Sequence, residues 1–141
     1  MNSGLNLEKL ESAVSALGDA LSVWDTLSSK DGADKALVNT VRAGVIQNFE
    51  VTYDQCWKLM NRWLNINVGR ESLRIITRKD LFREAAEHEL IDNVEQWFKF
   101  HVARNNTSHN YDSSIAFETL QLSKELYVAA RSLTKFLTNH A

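Results

Sequence analysis

Apolar residues at Leu7, Leu10, Val14, Leu17, Leu21 and Trp24 recur at alternating steps of three and four, the seam of a helix packed in a bundle. This spacing predicts a first helix over residues 6–27, closed by the polar, glycine-containing run Ser28-Ser29-Lys30-Asp31-Gly32. A longer helix is predicted over residues 34–65. It carries two apolar rows, Val38, Val41, Val45, Phe49, Cys56, Leu59 and Trp63 beside Ile46, Tyr53, Trp57, Met60 and Leu64, and a stripe that broad implies burial against several neighbours. After a connection holding Asn67-Val68-Gly69, Thr77-Arg78-Lys79-Asp80 reads as an N-cap with an acid at the third position, opening a short helix that ends near His88. Asp92-Asn93-Val94-Glu95 repeats that signature, and a fourth helix carries Val94, Trp97, Phe98, His101 and Val102 toward Arg104. The last helix is expected over residues 113–138, with Ile115, Leu122, Leu126, Ala129, Leu133 and Phe136 at helical spacing and Asp112 or Ser113 as its N-cap.

Composition strengthens the helical reading. Proline is absent and only five glycines occur in 141 residues, so the chain lacks the punctuation that strands and tight turns need. No internal repeat or change of composition marks a boundary, and the expectation is one all-α domain over residues 1–141, a five-helix up-and-down bundle. Sixteen Lys and Arg against eighteen Asp and Glu give a net charge of -2, so any nucleic-acid contact has to be local. Cys56 is the only cysteine, which excludes an intrachain disulfide and a multi-cysteine zinc site and fits a reducing compartment. With no apolar run of membrane-spanning length and no basic-then-apolar leader, a soluble, cytoplasmic protein without membrane contact is expected.

Common catalytic patterns are missing: there is no glycine-rich phosphate loop, no H-E-x-x-H, no Cys-x-x-Cys and no G-x-S-x-G. His88 ends a charged helix and His140 lies beside the C-terminus, and both read as structural or surface residues. The segment from Arg104 to Tyr111 differs. It gathers a guanidinium, an imidazole and a phenol among Asn105, Asn106, Thr107, Ser108 and Asn110, where one helix ends and the next begins. Arginine suits bidentate contact with a phosphate and histidine titrates near neutrality, a pair able to bind and cleave a phosphodiester without metal. Composition by itself favours the plainer reading, in which Arg104 caps the carbonyls of one helix and His109 caps the next. His101 lies one turn before Arg104, as an accessory ligand or a rim residue. Glu50, Tyr53 and Trp57 share one face of the long helix; Glu50 either orients the motif, receives a partner or is a solvated acid beside core aromatics.

Arg104, four residues, His109, one residue and Tyr111 match the R-x-x-x-x-H-x-Y signature of HEPN-domain toxins, the partners of minimal nucleotidyltransferase antitoxins. The run from Val41 through Tyr53, with Cys56-Trp57-Lys58, resembles the long helix of the branch named nucleotidyltransferase substrate-binding proteins. Arg83-Glu84-Ala85-Ala86, Leu90-Ile91 and Trp97 are similar to the same branch, so the resemblance covers nearly the whole chain. Ala43 stands where that branch usually has an acid, and Thr77 where it has a proline.

The resemblance implies a metal-independent endoribonuclease toxin with no cofactor and no metal, a helical bundle that forms a homodimer or a higher even oligomer with its motifs facing. Arg104 would stabilise the RNA phosphate, His109 would be the acid or base, and the partner nucleotidyltransferase would transfer AMP to Tyr111. Asn105, Ser108, Asn110 and Glu50 would support the site. Cleavage through a 2′-hydroxyl needs one group to take a proton and another to give one, and a two-fold axis would supply a second His109. The branch name also implies an alternative, a non-catalytic substrate-binding subunit of a two-component nucleotidyltransferase.

Overall fold

The computed structural model describes residues 5–109 and 112–140. Within them the chain forms five α-helices and no strand: α1 (Glu8–Ser28), α2 (Lys35–Asn67), α3 (Arg78–Glu87), α4 (Val94–Asn105) and α5 (Ser113–Asn139), with 3₁₀ turns at Arg70–Ser72 and Thr107–His109. The expected five-helix bundle is the fold observed, and the helix limits lie within about two residues of those the periodicity predicts, the usual scatter of helix ends. No helix among the described residues is long and apolar enough to cross a membrane.

α1 turns back along α2, and both pack against α5. Leu10, Val14, Leu17 and Leu21 of α1 are buried, and the two apolar rows of α2 supply Val45, Ile46, Phe49, Tyr53, Cys56, Leu59, Met60, Trp63 and Leu64. Gly18 lets α1 approach α5, because a Cβ there would lie 2.7 Å from the Tyr127 ring. The buried Thr52 hydroxyl donates to the Ala13 carbonyl at 3.2 Å, which holds α1 and α2 in register.

The start signals read from the sequence are used, the second of them one residue later than its spacing implies, with Asn93 rather than Asp92 as the N-cap of α4. Thr77 forms a full capping box: its hydroxyl accepts from Asp80 N at 3.1 Å, and the Asp80 carboxylate accepts from Thr77 N at 3.0 Å. Thr77 N and Ile76 N, both donating to it, hold the Asp80 carboxyl below its usual range. Asn93 caps α4 by accepting from Gln96 N at 3.0 Å, and of the two residues proposed to cap α5 it is Asp112 that does so, accepting from Ser114 N at 2.9 Å. α3 closes in a Schellman turn, with Leu90 N donating to the Ala85 carbonyl at 2.8 Å and Glu89 N to the Ala86 carbonyl at 3.1 Å. That turn puts Glu89 at φ 69°, a left-handed conformation costly for a residue with a Cβ. Glu89→Gly is therefore expected to stabilise the fold by about 1 kcal/mol, read as a higher urea midpoint with an unchanged slope.

An aromatic chain places α4. Phe49 of α2 meets the edge of Phe100 at 6.4 Å, Phe100 meets Trp97 at 5.2 Å, Trp97 meets Phe82 of α3 at 6.0 Å, and Phe82 returns to Tyr53 at 6.4 Å. The buried face of α4 thus runs through Trp97, Phe100 and Ala103, while Val102 is 43% exposed. With α4 fixed by this ring contact, its last turn comes to rest beside the middle of α2.

Candidate functional site

Arg104 is the last basic residue of α4, one turn beyond the aromatic contact, and it faces two acids of α2. Its Nε and Nη2 donate to the two oxygens of Asp54 at 3.2 and 3.1 Å, a bidentate fork, and its Nη1 donates to Glu50 Oε2 at 2.7 Å. Nη1 also donates to Thr107 Oγ1 at 3.3 Å. The Thr107 hydroxyl has a single hydrogen, shared between Glu50 Oε2 at 2.7 Å and the Arg104 carbonyl at 2.8 Å. This leaves one Nη2 hydrogen of Arg104 without an acceptor among the described residues. The Asp54 hydrogen bonds and the two carboxylate charges raise the guanidinium's pKa further, so it stays charged throughout. One cation against two anions leaves this cluster with a net negative charge.

Glu50, for which the sequence left three roles open, therefore holds the motif arginine and Thr107 in place. Asp54 and Thr107 share that work. Asp54 was legible as the residue one turn after Glu50 on the same face. The sequence offered the pairing of Glu50 with the motif only as one of three roles, and helix periodicity carries no signal that pairs Asp54 with Arg104, 50 residues away along the chain.

Beside the cluster lies an open cleft of about 390 Å³, lined by Tyr53, Asp54, Trp57, Lys58, Arg78, His101, Arg104, Asn105, Thr107 and Ser108. His101 is half-buried in its wall, and a second set of polar groups runs from it. Arg78 Nη1 donates to the Tyr53 hydroxyl at 3.1 Å, and that hydroxyl lies 2.9 Å from His101 Nδ1. Burial pushes the Tyr53 phenol up to about 12, against a smaller opposing pull from Arg78, so the phenol keeps its hydrogen at neutral pH. It accepts from Arg78 and donates to His101, which assigns the imidazole hydrogen to Nε2. Nε2 then faces the Asn105 amide at 3.3 Å, whose oxygen becomes the partner after half a turn of the group. Tyr53 is thus a core residue with a working hydroxyl, and Trp57 is half-buried at the cleft with the Arg78 guanidinium 3.7 Å from its ring centroid.

The His101 pKa lies below 6.5, first because burial disfavours the imidazolium and second because Arg78 repels it. A depressed histidine stabilises the fold above the unfolded-state pKa, and that contribution is lost as pH falls through 6.5 toward the folded value. In an NMR titration the His101 ring should titrate below 6.5. In Arg78→Gln its midpoint should rise without reaching 6.5, since burial remains; an unmoved midpoint would contradict the proximity of the two charges.

The Arg104 to Tyr111 segment continues through the 3₁₀ turn Thr107–His109, where Ser108 and His109 are exposed and His109 N donates to the Asn106 carbonyl at 2.9 Å. The structure brings Arg104, Asn105, Ser108 and His101 to one cleft, with Glu50 directly behind Arg104. Asn110 and Tyr111 lie outside the described residues.

These features define a helical-bundle module whose polar site lies at a helix junction rather than in an internal cavity. The chain belongs to the family described as nucleotidyltransferase substrate binding protein like, whose model matches residues 5–139. It is 31% identical over 117 residues, 82% of this chain and 80% of the relative, to the probable ribonuclease HepT of Haemophilus influenzae. The solved structure of HI0074 from Haemophilus influenzae, said to reveal the fold of a substrate binding domain of a nucleotidyltransferase, matches with a TM-score of 0.85 at 27% identity. That match covers 94% of this chain and 99% of that one. A solved structure from Thermus thermophilus shares the fold, with a TM-score of 0.62 at 20% identity over 86% of this chain and 98% of its own.

Proposed function

We propose that this chain is an endoribonuclease toxin of the HEPN type, acting without metal and neutralised by a minimal nucleotidyltransferase. The observation that carries it is the cleft itself: the motif arginine is locked by Glu50 and Asp54 at the mouth of a polar groove, and the motif histidine follows on an exposed turn. The relative named as a probable ribonuclease supports the same reading. In this chemistry the 2′-oxygen attacks the adjacent phosphorus, its proton goes to a base, and the 5′-oxygen leaves with a proton from an acid, giving a 2′,3′-cyclic phosphate and a 5′-hydroxyl.

His109 takes one of those roles. A second His109 from a two-fold-related chain takes the other, and the exposed Val102 (43%) and Phe117 (63%), which flank the motif in sequence, offer apolar surface to that second chain. Transfer of AMP from ATP to the Tyr111 hydroxyl, releasing pyrophosphate, would add an anion and bulk beside the RNA path and silence the site.

The alternative, a non-catalytic substrate-binding subunit, draws support from the likeness to HI0074, whose fold is that of a substrate binding domain of a nucleotidyltransferase, and from the net negative charge of the Arg104 cluster. The two readings separate in one assay. The purified protein should cleave RNA in the presence of chelator, and incubation with the partner nucleotidyltransferase and ATP should add AMP mass to Tyr111 and stop cleavage. Absence of both effects, with a stable complex to the partner, would establish the binding subunit instead.

A further inference from the structure

The motif arginine does not supply net positive charge to this cleft. Arg104 is matched by two carboxylates at 2.7 and 3.1 Å, so a phosphate approaching it meets a cluster whose sum is negative. With a whole-chain charge of -2, no general field offsets this. The positive charge facing the cleft comes from elsewhere. Arg78, at the first position of α3, and Lys58, on α2, both line it, and neither has an ion pair with a described residue.

Arg78 is also built as an oxyanion ligand. Its guanidinium lies 3.7 Å from the Trp57 ring centroid, and one Nη1 hydrogen is held by the Tyr53 hydroxyl at 3.1 Å. Stacking fixes the face and the tyrosine fixes one edge, so the remaining N–H groups are left to point, preorganised, along the other edge. An arginine oriented in this way loses little side-chain freedom when a phosphate binds bidentately. The Lys58 ammonium, 5.9 Å from the same Trp57 ring, adds a second positive charge on the same wall.

We propose that Arg78, stacked on Trp57 and flanked by Lys58, is the residue that holds a phosphate of the RNA strand in this cleft, while Arg104 is a positioning residue that ties the motif to α2. The proposal rests on the reading of RNA as the ligand, but not on cleavage.

The test uses the full-length His109→Ala protein, which leaves RNA intact, and a fluorescein-labelled single-stranded RNA of mixed sequence titrated at several salt concentrations. Adding Arg78→Gln should weaken binding about tenfold and flatten the plot of log affinity against log salt by about 0.7, the increment for one phosphate contact on a single strand. Lys58→Gln should give a smaller loss in the same direction. Arg78→Lys, which keeps the charge but loses the stacked fork, should restore the salt slope more fully than the affinity. Melting curves identify any variant that fails to fold, and the surface variant Lys58→Gln then carries the comparison.

Unchanged affinity and salt slope in both Arg78→Gln and Lys58→Gln would overturn the proposal, as would Arg78-dependent binding of free AMP with none of RNA. Cleavage is read separately in protein that keeps His109. Arg78-dependent RNA binding with no cleavage by that protein would uphold the proposal and overturn the nuclease reading, and full cleavage by Arg78→Gln with His109 intact would do the reverse.

Discussion

His109→Ala is expected to lower RNA cleavage by about a hundredfold to ten-thousandfold while leaving the fold intact. The first half follows from the proposed chemistry, in which His109 is a proton carrier and a proton is transferred at each end of the step. The second half follows from position: His109 is exposed on the short turn between α4 and α5, outside the aromatic packing that places α4. If two chains each contribute one His109 to a shared site, a mixed dimer of one His109→Ala chain and one unaltered chain should be inactive, so excess His109→Ala chains mixed with unaltered protein should lower cleavage further than dilution alone. Full activity in His109→Ala would remove the imidazole from the reaction.

Arg104→Ala should be the costliest substitution at the site for stability. It leaves Glu50 and Asp54, one turn apart on α2, facing each other without the cation that joins them, and it frees the Thr107 hydroxyl. Each partner is about a third exposed, so water screens part of the repulsion. The expected loss is about 2 kcal/mol, less than for a fully buried pair and more than for a surface one. Much of that cost is the uncompensated pair of acids rather than the missing contact. Adding Glu50→Gln and Asp54→Asn to Arg104→Ala should therefore raise the urea midpoint again. A triple variant no more stable than the single one would show that Arg104 acts through packing alone. Arg104→Lys should recover only part of the loss, because an ammonium cannot repeat the bidentate fork to Asp54.

The two substitutions divide the motif by physical role. On the proposed reading His109 acts on the RNA from an exposed turn, whereas Arg104 organises the junction, giving three of its five N–H groups to the Glu50 and Asp54 carboxylates and a fourth to Thr107. Activity lost in Arg104→Ala therefore has to be read beside stability, and the Glu50 and Asp54 variants separate the two.

How far the sequence reached depends on the range of the interaction. Leu10, Val14, Leu17 and Leu21 disclosed α1 because helix periodicity is a local property, and Thr77 with Asp80 disclosed the start of α3 because a capping box closes within four residues. The absence of proline left long helices uninterrupted, and Arg104, His109 and Tyr111 marked the candidate segment through their spacing and family resemblance. In α5 Leu126 and Leu133 of the expected row are buried, but the core face also takes Ala116, Thr119, Leu120, Ser123, Ala130 and Leu137, and its small or polar members give periodicity little contrast.

The charge state of the site was decided only in three dimensions. That Glu50 and Asp54 neutralise Arg104 depends on α4 lying across α2, which the ring contacts from Phe49 through Phe100, Trp97 and Phe82 to Tyr53 enforce. The same contacts bring Arg78 over Trp57 and under the Tyr53 hydroxyl, far from the motif in sequence yet on the wall of its cleft. The sequence by itself determined the helices and singled out, through spacing and family resemblance, the segment to which function is assigned. Which cations in that segment's cleft remain available to a phosphate depended on side chains meeting across helices, because charge compensation acts through space at a few ångströms and leaves no periodic trace along the chain.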